Sequence, residues 1–179
     1  TTPGRGARFA AASRGPLQAA VRRGMTLIGT AGRYGDGRPE CLVAKSIARP
    51  RDKGFVVSKV LPQNSRRQGT VKACEASLRR LKTDVLDLYL LHWRGSYKLA
   101  DSSAAFEELL AAGKIRHYDD RNFPVADLEE LGQLVFRPNC AANQDVSDLD
   151  DRGIAWDLCP TCREENLAGL AECTRGGGR

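Results

Sequence analysis

The sequence has no uninterrupted apolar run approaching the roughly 20 residues that a membrane-spanning helix requires. It also has only two histidines and six cysteines in 179 residues. Six scattered cysteines are too few for a disulfide scaffold of this size, which indicates a soluble protein of the reducing cytoplasm. The length suits one domain with its own hydrophobic core.

Acidic residues are missing from the start of the chain, where the first one is Asp36. An Arg- and Ser-rich start without acids is typical of an organelle transit peptide. The pattern of residues 16–23, with Pro16 at its start and Gly24 after its end, instead indicates an ordinary short helix. We therefore expect residues 1–15 to be a loose basic N-terminus and residues 16–179 to form the folded domain.

Basic residues exceed acidic ones by 28 to 22, which gives a net charge of +6. Such an excess suits nucleic acid, but it equally suits a small molecule that carries phosphate. The sequence contains neither a known nucleic-acid module nor aromatic residues interleaved with basic ones. We therefore expect a small-molecule ligand and neither a nucleic-acid nor a membrane partner.

Residues 85–93 (Val-Leu-Asp-Leu-Tyr-Leu-Leu-His-Trp) form a nearly unbroken apolar run. A strand this apolar needs cover on both faces, which is typical of a parallel strand in an α/β fold. Functional side chains in such folds gather at the carboxyl ends of the strands. His92 lies at that end and is therefore a candidate functional residue.

The rest of the sequence alternates between strand and helix patterns. The further predicted strands are residues 25–28, 54–59, 115–118, 141–146 and 167–171. The predicted helices are residues 16–23, 40–48, 103–112 and 157–165, a helix capped by Thr70 with apolar positions Val71, Cys74, Leu78 and Leu81, and a helix with Val125, Leu128, Leu131 and Leu134 on one face. This alternation predicts a mostly parallel sheet, arranged as a barrel or as a doubly wound sheet.

Four stretches of the sequence resemble the aldo-keto reductase family. They are residues 30–37 (Thr-Ala-Gly-Arg-Tyr-Gly-Asp-Gly) with Glu40, residues 57–60, residues 74–93, and residues 113–116 followed by Asn122, Phe123, Asn143 and Gln144. The resemblance implies a (β/α)8 barrel of the TIM type. It also implies the NADPH-dependent reduction of an aldehyde or ketone, in which a hydride reaches the carbonyl carbon and a tyrosine gives a proton to the oxygen.

The resemblance also assigns roles to individual residues. Tyr34 matches the proton donor, and Lys59 matches the cation that stabilises the phenolate left behind. His92 matches the residue that orients the substrate carbonyl, and Trp93 would line the substrate pocket.

Two amide side chains match positions that bind the cofactor. Asn122 and Gln144 would hold the nicotinamide carboxamide of NADPH by hydrogen bonds, for which an amide is well suited. The resemblance implies no metal ion.

The sequence departs from the family pattern at three positions of the site. Gly29 stands where the family has the aspartate that pairs with the lysine, Arg121 replaces a serine that contacts the carboxamide, and Glu172 replaces an aromatic residue that stacks on the nicotinamide. A (β/α)8 barrel also typically needs about 250 residues. We therefore expect an incomplete barrel of six or seven strands, whose open edges favour self-association.

These departures leave two hypotheses open. In the first, the chain is a competent reductase. In the second, it is an inactive homologue that acts, if at all, as a binding protein. A third hypothesis, from another class, is a metal or redox module built on Cys159 and Cys162, with Cys173 as a further ligand. One Cys-x-x-Cys pair is a weak signal because tetrahedral zinc needs four ligands.

Overall fold

The computed structural model describes residues 15–47, 54–121, 123–133, 140–146, 153–164 and 166–172. Strands and helices alternate in these ranges, as predicted. The strands are β1 (Leu27–Gly29), β2 (Phe55–Val60), β3 (Leu86–Leu91), β4 (Ile115–Arg121), β5 (Cys140–Val146) and β6 (Ala168–Glu172). The helices are α1 (residues 15–22), α2 (Arg38–Ile47), α3 (Arg67–Leu81), α4 (Leu99–Ala111), α5 (Val125–Gly132) and α6 (Leu158–Glu164).

The six strands form one parallel sheet in the order β1–β2–β3–β4–β5–β6. Each strand lies beside the next one in the sequence, and a connection with a helix joins each pair. This sequential order is that of a (β/α)8 barrel, since the order of a doubly wound sheet reverses at a switch point. The described residues supply six of the eight strands of such a barrel, which confirms the predicted fold class. None of the helices described is long and apolar enough to cross a membrane.

Strand β3 is buried along its whole length. Tyr89 faces the helices and packs edge-to-face on Phe106 of α4, with 5.9 Å between the ring centroids. Leu88 and Leu90 lie on the opposite face of the sheet, the interior face of the barrel, where they pack with Val57 of β2. Burial of both faces is the physical reason for the unbroken apolar run in this part of the sequence.

Two predicted helix starts are wrong. Thr70 does not cap α3, because the helix begins at Arg67 and Thr70 lies inside it. The Thr70 hydroxyl donates a hydrogen bond to the main-chain carbonyl of Asn64 at 3.2 Å, so it ties α3 to the preceding turn. Helix α4 begins at Leu99, one turn earlier than predicted. Leu134, predicted on the face of α5, lies outside the described residues.

Strand β4 is longer than predicted and continues from Tyr118 to Arg121. The register between β4 and β5 shifts between Tyr118 and Asp120. At this irregularity the fully buried Asp119 accepts a hydrogen bond through Oδ2 from the main-chain N–H of Ala142. An acidic residue is typical of a loop, but here its carboxylate satisfies a backbone donor of the neighbouring strand.

Candidate active site at the carboxyl ends of β1 to β3

Tyr34 begins a tight turn that follows β1. Three successive residues of this turn have positive φ angles, namely Gly35 at 48°, Asp36 at 55° and Gly37 at 81°. Glycine adopts such angles freely, and aspartate does so more readily than most other residues. The Arg38 side chain steadies the turn by donating from Nε to the carbonyl of Gly35 at 2.9 Å. The Tyr34 side chain is 40% exposed, so its phenol is accessible to a ligand from solvent.

Lys59 lies near the carboxyl end of β2 and is only 4% exposed. Its Nζ donates a hydrogen bond to the main-chain carbonyl of Thr30 at 3.3 Å. Thr30 directly follows β1, and its own N–H donates to the carbonyl of Val57 at 2.8 Å. The ammonium group of Lys59 is therefore held at the end of β1, where the Tyr34 turn starts.

His92 follows the last residue of β3 and is 4% exposed. Its main-chain N–H donates to the carbonyl of Val60 at 2.9 Å, which continues the ladder between β2 and β3. The His92 ring packs edge-to-face against Tyr34, with ring centroids 5.6 Å apart. The His92 ring also contacts the Trp93 ring, and the two ring centroids lie 4.7 Å apart. The structure thus brings Tyr34, His92 and Trp93 into one cluster, beside the strand that carries Lys59.

A buried ion pair lies behind this cluster, and sequence reasoning did not assign it a role. Glu40 of α2 is fully buried, and its Oε1 accepts a hydrogen bond from the Ser58 hydroxyl at 2.7 Å. The other carboxylate oxygen of Glu40 accepts from Nε of Arg80 on α3 at 2.5 Å. Arg80 also donates from Nη2 to the Ser77 hydroxyl at 3.2 Å. Ser58 directly precedes Lys59, so the network reaches the strand that carries the lysine.

The same arginine lies against the Tyr34 turn. A Cβ atom at Gly37 would overlap Cδ and Nε of Arg80, and one at Gly32 would lie 3.1 Å from its Nη2. The turn therefore packs directly on the arginine, and Gly37 has to be a glycine both for its φ angle and for this approach. The sequence signals for the pair were that Glu40 belongs to a stretch resembling the family and that it is an acid within the predicted helix of residues 40–48.

Of the two residues predicted to bind the cofactor, Gln144 lies among the described residues. It lies on β5 opposite Leu170 of β6, and Leu170 packs against the interior cluster that includes Leu90. The Oε1 atom of Gln144 is buried and has no hydrogen-bond partner among the residues described. Such an oxygen can accept a hydrogen bond from an amide N–H of a ligand. Asn122 lies outside the described residues.

Gly29 is the last residue of β1 and aligns with Val57 of β2. A Cβ atom at this position would have no atom within 4 Å, so the site has room for a side chain. Arg121 and Glu172 end β4 and β6, respectively, and only their backbone positions are described.

The Cys-x-x-Cys pair lies on α6, away from this cluster. Cys159 is exposed, whereas Cys162 is buried, and burial raises the pKa of the Cys162 thiol. A raised pKa opposes formation of the thiolate that binds metals and exchanges disulfides. In the described ranges no group of three or more His, Cys, Asp or Glu side chains is placed to hold a metal ion. Cys173 lies outside those ranges.

Comparison with known proteins gives a consistent match to one family. The model of the aldo/keto reductase family matches residues 8–177. The chain is 47% identical over 155 residues to methylglyoxal reductase YeaE of Escherichia coli, covering 87% of this chain and 55% of that protein. It is 39% identical over 115 residues to glyoxal reductase of Bacillus subtilis, covering 64% of this chain and 42% of that protein. The chain thus spans about half the length of these curated relatives.

A solved structure has the same fold over nearly the whole chain. It is an aldo-keto reductase from Klebsiella pneumoniae in complex with NADPH, with a TM-score of 0.86 and 42% sequence identity. The similarity covers 91% of this chain and 59% of that one.

Proposed function

Because this chain belongs to the aldo/keto reductase family, we propose that it reduces an aldehyde or ketone to an alcohol with NADPH. The observation that carries the proposal is the contact between Tyr34 and His92 beside the buried Lys59, at the carboxyl ends of three neighbouring strands. The relatives named methylglyoxal reductase and glyoxal reductase make small 2-oxoaldehydes the first substrates to test. Residues 16–179 form a partial barrel domain in this proposal, and residues 1–15 form a loose basic N-terminus.

Tyr34 donates the proton to the carbonyl oxygen. A phenol is a weak acid at neutral pH, so the step requires a group that stabilises the phenolate. Lys59 supplies a positive charge for this purpose and is fixed by its hydrogen bond to Thr30. His92 packs on the Tyr34 ring and orients the carbonyl oxygen towards the phenol, and Trp93 forms a wall of the substrate pocket.

NADPH supplies the hydride when it is bound. The described residues fit this cofactor at Gln144, whose buried Oε1 is an acceptor for the carboxamide NH2 group. Asn122 is proposed as the second amide that holds the same group.

The second candidate function is that of a homologue that binds a ligand without catalysis. It is favoured by Gly29, because this position carries no carboxylate here, whereas the family has an aspartate, and Lys59 donates to the Thr30 carbonyl. A backbone carbonyl carries only a partial negative charge and holds an ammonium less strongly than a carboxylate does.

The absorbance of NADPH during incubation with methylglyoxal and other aldehydes tests the proposal. We expect steady oxidation of NADPH, and a rate at least about 100-fold lower in Tyr34→Phe, because general acid catalysis contributes on this order. Tyr97→Phe is the matched control, since Tyr97 packs on Arg66 outside the cluster. NADPH binding without turnover would support the second candidate. Equal rates for Tyr34→Phe and the unchanged chain would refute the role of Tyr34.

We further propose that the chain self-associates through β1 and β6, the two outer strands of the described sheet. Outer strands present backbone groups that can pair with another chain. Met25 and Leu27, at β1, are 65% and 52% exposed. This apolar surface supports β1 as the more favourable of the two edges.

A further inference from the structure

Arg33 contacts an aromatic ring rather than a carboxylate. Among the described residues, ion pairs with carboxylates are formed by Arg67, Arg80, Arg94 and Arg116. Arg33 instead lies over the Trp93 ring, with its Cζ atom 5.2 Å from the ring centroid. In the part of the chain that the structure describes, no carboxylate lies within ion-pair distance of it. Its charge is therefore not neutralised by a neighbouring acid there.

The contacts of Arg33 connect it to the candidate active site. Arg33 directly precedes Tyr34 in the chain, and its ring partner Trp93 lies 4.7 Å from His92. His92 in turn packs on Tyr34 at 5.6 Å. One aromatic side chain thus separates the guanidinium from His92. A carbonyl compound held at Tyr34 and His92 that extends over Trp93 comes close to this cation.

A guanidinium that lies on an aromatic ring remains able to bind an anion. The ring attracts the cation through its face, while the N–H donors lie in the plane of the guanidinium and match the two oxygens of a carboxylate. The contact with Trp93 also restricts a side chain that is otherwise flexible, so less conformational entropy is lost when an anion binds. Arg33 is exposed, and an anion can therefore reach it without displacing packed residues.

Among the described residues, the acids of the same turn and of α5 form no ion pair with Arg33. Asp36 is the acid of the same turn, and it is exposed. The acids of α5, Asp127 and Glu130, are both engaged by Arg94, at 3.3 Å and 2.8 Å.

We propose that Arg33 forms an anion subsite at the mouth of the active site, and that carbonyl compounds bearing a carboxylate are the preferred substrates. This inference rests on the proposed carbonyl reduction and narrows its substrate class. The alternative is that Arg33 only holds the Trp93 ring in place. Removal of Arg33 would then affect charged and neutral substrates equally.

Turnover of two aldehydes of similar shape distinguishes these roles. We expect the ratio of kcat/KM for 4-carboxybenzaldehyde to that for 4-methylbenzaldehyde to fall about tenfold in Arg33→Met, as for the loss of one charged hydrogen-bonded contact. Arg33→Lys should retain part of the preference, because it keeps the charge but not the fork of donors. Arg66→Met is the matched control and should leave the ratio unchanged. An unchanged ratio in Arg33→Met would overturn the proposal.

A binding measurement keeps the test independent of turnover. The sequence has only two tryptophans, so Trp156→Phe leaves Trp93 as the sole fluorophore of that type. We expect saturable quenching by 4-(hydroxymethyl)benzoate, weaker quenching by 4-methylbenzyl alcohol, and loss of this difference when Arg33→Met is added. Equal quenching by 4-(hydroxymethyl)benzoate and 4-methylbenzyl alcohol, or no quenching by either, would refute the anion subsite. Failure of NADPH oxidation with both aldehydes, together with carboxylate-dependent quenching, would refute the proposed reaction and leave the subsite standing.

Discussion

Lys59 donates a hydrogen bond to a backbone carbonyl, and position 29 nearby is a glycine where the family has an aspartate. The hydrogen bond to Thr30, at 3.3 Å, fixes the buried ammonium at the end of β1. A carbonyl dipole stabilises a cation less than a full negative charge does. Gly29 aligns with Val57, and Lys59 lies two residues further along the same face of β2. A side chain at position 29 would therefore point to the side of the sheet on which Lys59 lies.

The substitution Gly29→Asp should increase the reductase activity. The new Cβ meets no atom within 4 Å, so the first atom of a side chain fits without repacking. A carboxylate there adds a negative charge on the face of the sheet that carries Lys59, and we expect kcat to rise about tenfold or more. NADPH oxidation with methylglyoxal measures the effect.

Gly29→Asn is the control for charge, because it has nearly the same size and remains neutral. Equal rates for the two variants would show that the negative charge is irrelevant. If Gly29→Asp binds NADPH but does not oxidise it, the missing carboxylate is not what limits the reaction.

The sequence predicted the cluster of Tyr34, His92 and Trp93, because each residue is part of a short motif that ends a strand or begins the loop after it. Parallel strands bring such positions together without any knowledge of distant contacts. The hydrogen bond from Lys59 to Thr30 could not be predicted in this way. It depends on the conformation that the Lys59 side chain adopts beside Gly29, and no local sequence pattern determines that conformation.

Helices α2 and α3 are joined to the Tyr34 turn by the Glu40–Arg80 ion pair. Arg80 lies in the last turn of α3, where a basic side chain suits the helix dipole. Its guanidinium also reaches Glu40 and packs against Gly37. Long-range pairing of this kind also extended β4, where Asp119 binds the backbone of β5 at Ala142. Local sequence patterns do not encode either contact, because each joins residues that are far apart in the sequence.

The substitution Arg80→Met should destabilise the protein by about 3 kcal/mol, because it leaves the carboxylate of Glu40 buried without its cation. We place the loss at the lower end of the range for buried pairs because the Arg80 side chain is 30% exposed. The midpoint of urea denaturation measures the change. Arg79→Met removes an exposed cation from the same turn and should change the stability by no more than about 0.5 kcal/mol.

A double-mutant cycle shows whether the pair itself is responsible. Arg80→Met combined with Glu40→Gln should be more stable than Arg80→Met alone, since no buried charge remains unpaired. If the two losses simply add, then the packing of Arg80 under Gly37, rather than the ion pair, accounts for the effect.

At the scale of the whole molecule, the six parallel strands follow the order that a (β/α)8 barrel requires. The sequence predicted this order because strand and helix patterns alternate and because a long signature surrounds β3. The described sheet has β1 and β6 as its outer strands. Leu27 aligns with Phe55, which packs on the interior cluster, so this exposed leucine lies on the interior face. An outer strand offers backbone groups to a pairing partner, and the exposed leucine adds apolar surface, so both favour the proposed pairing with another chain.

Sedimentation velocity over a wide range of protein concentrations tests this expectation. We expect the sedimentation coefficient of the unchanged chain to rise with concentration. Leu27→Lys should shift it towards that of the monomer, because a charge on an outer strand opposes edge-to-edge pairing. Trp156→Lys is the matched control, since Trp156 is 86% exposed but does not lie on β1 or β6, and it should leave the association intact. A monomer at every concentration would refute the association, and an equal effect of both substitutions would show that apolar exposure in general, rather than the edge at β1, drives it.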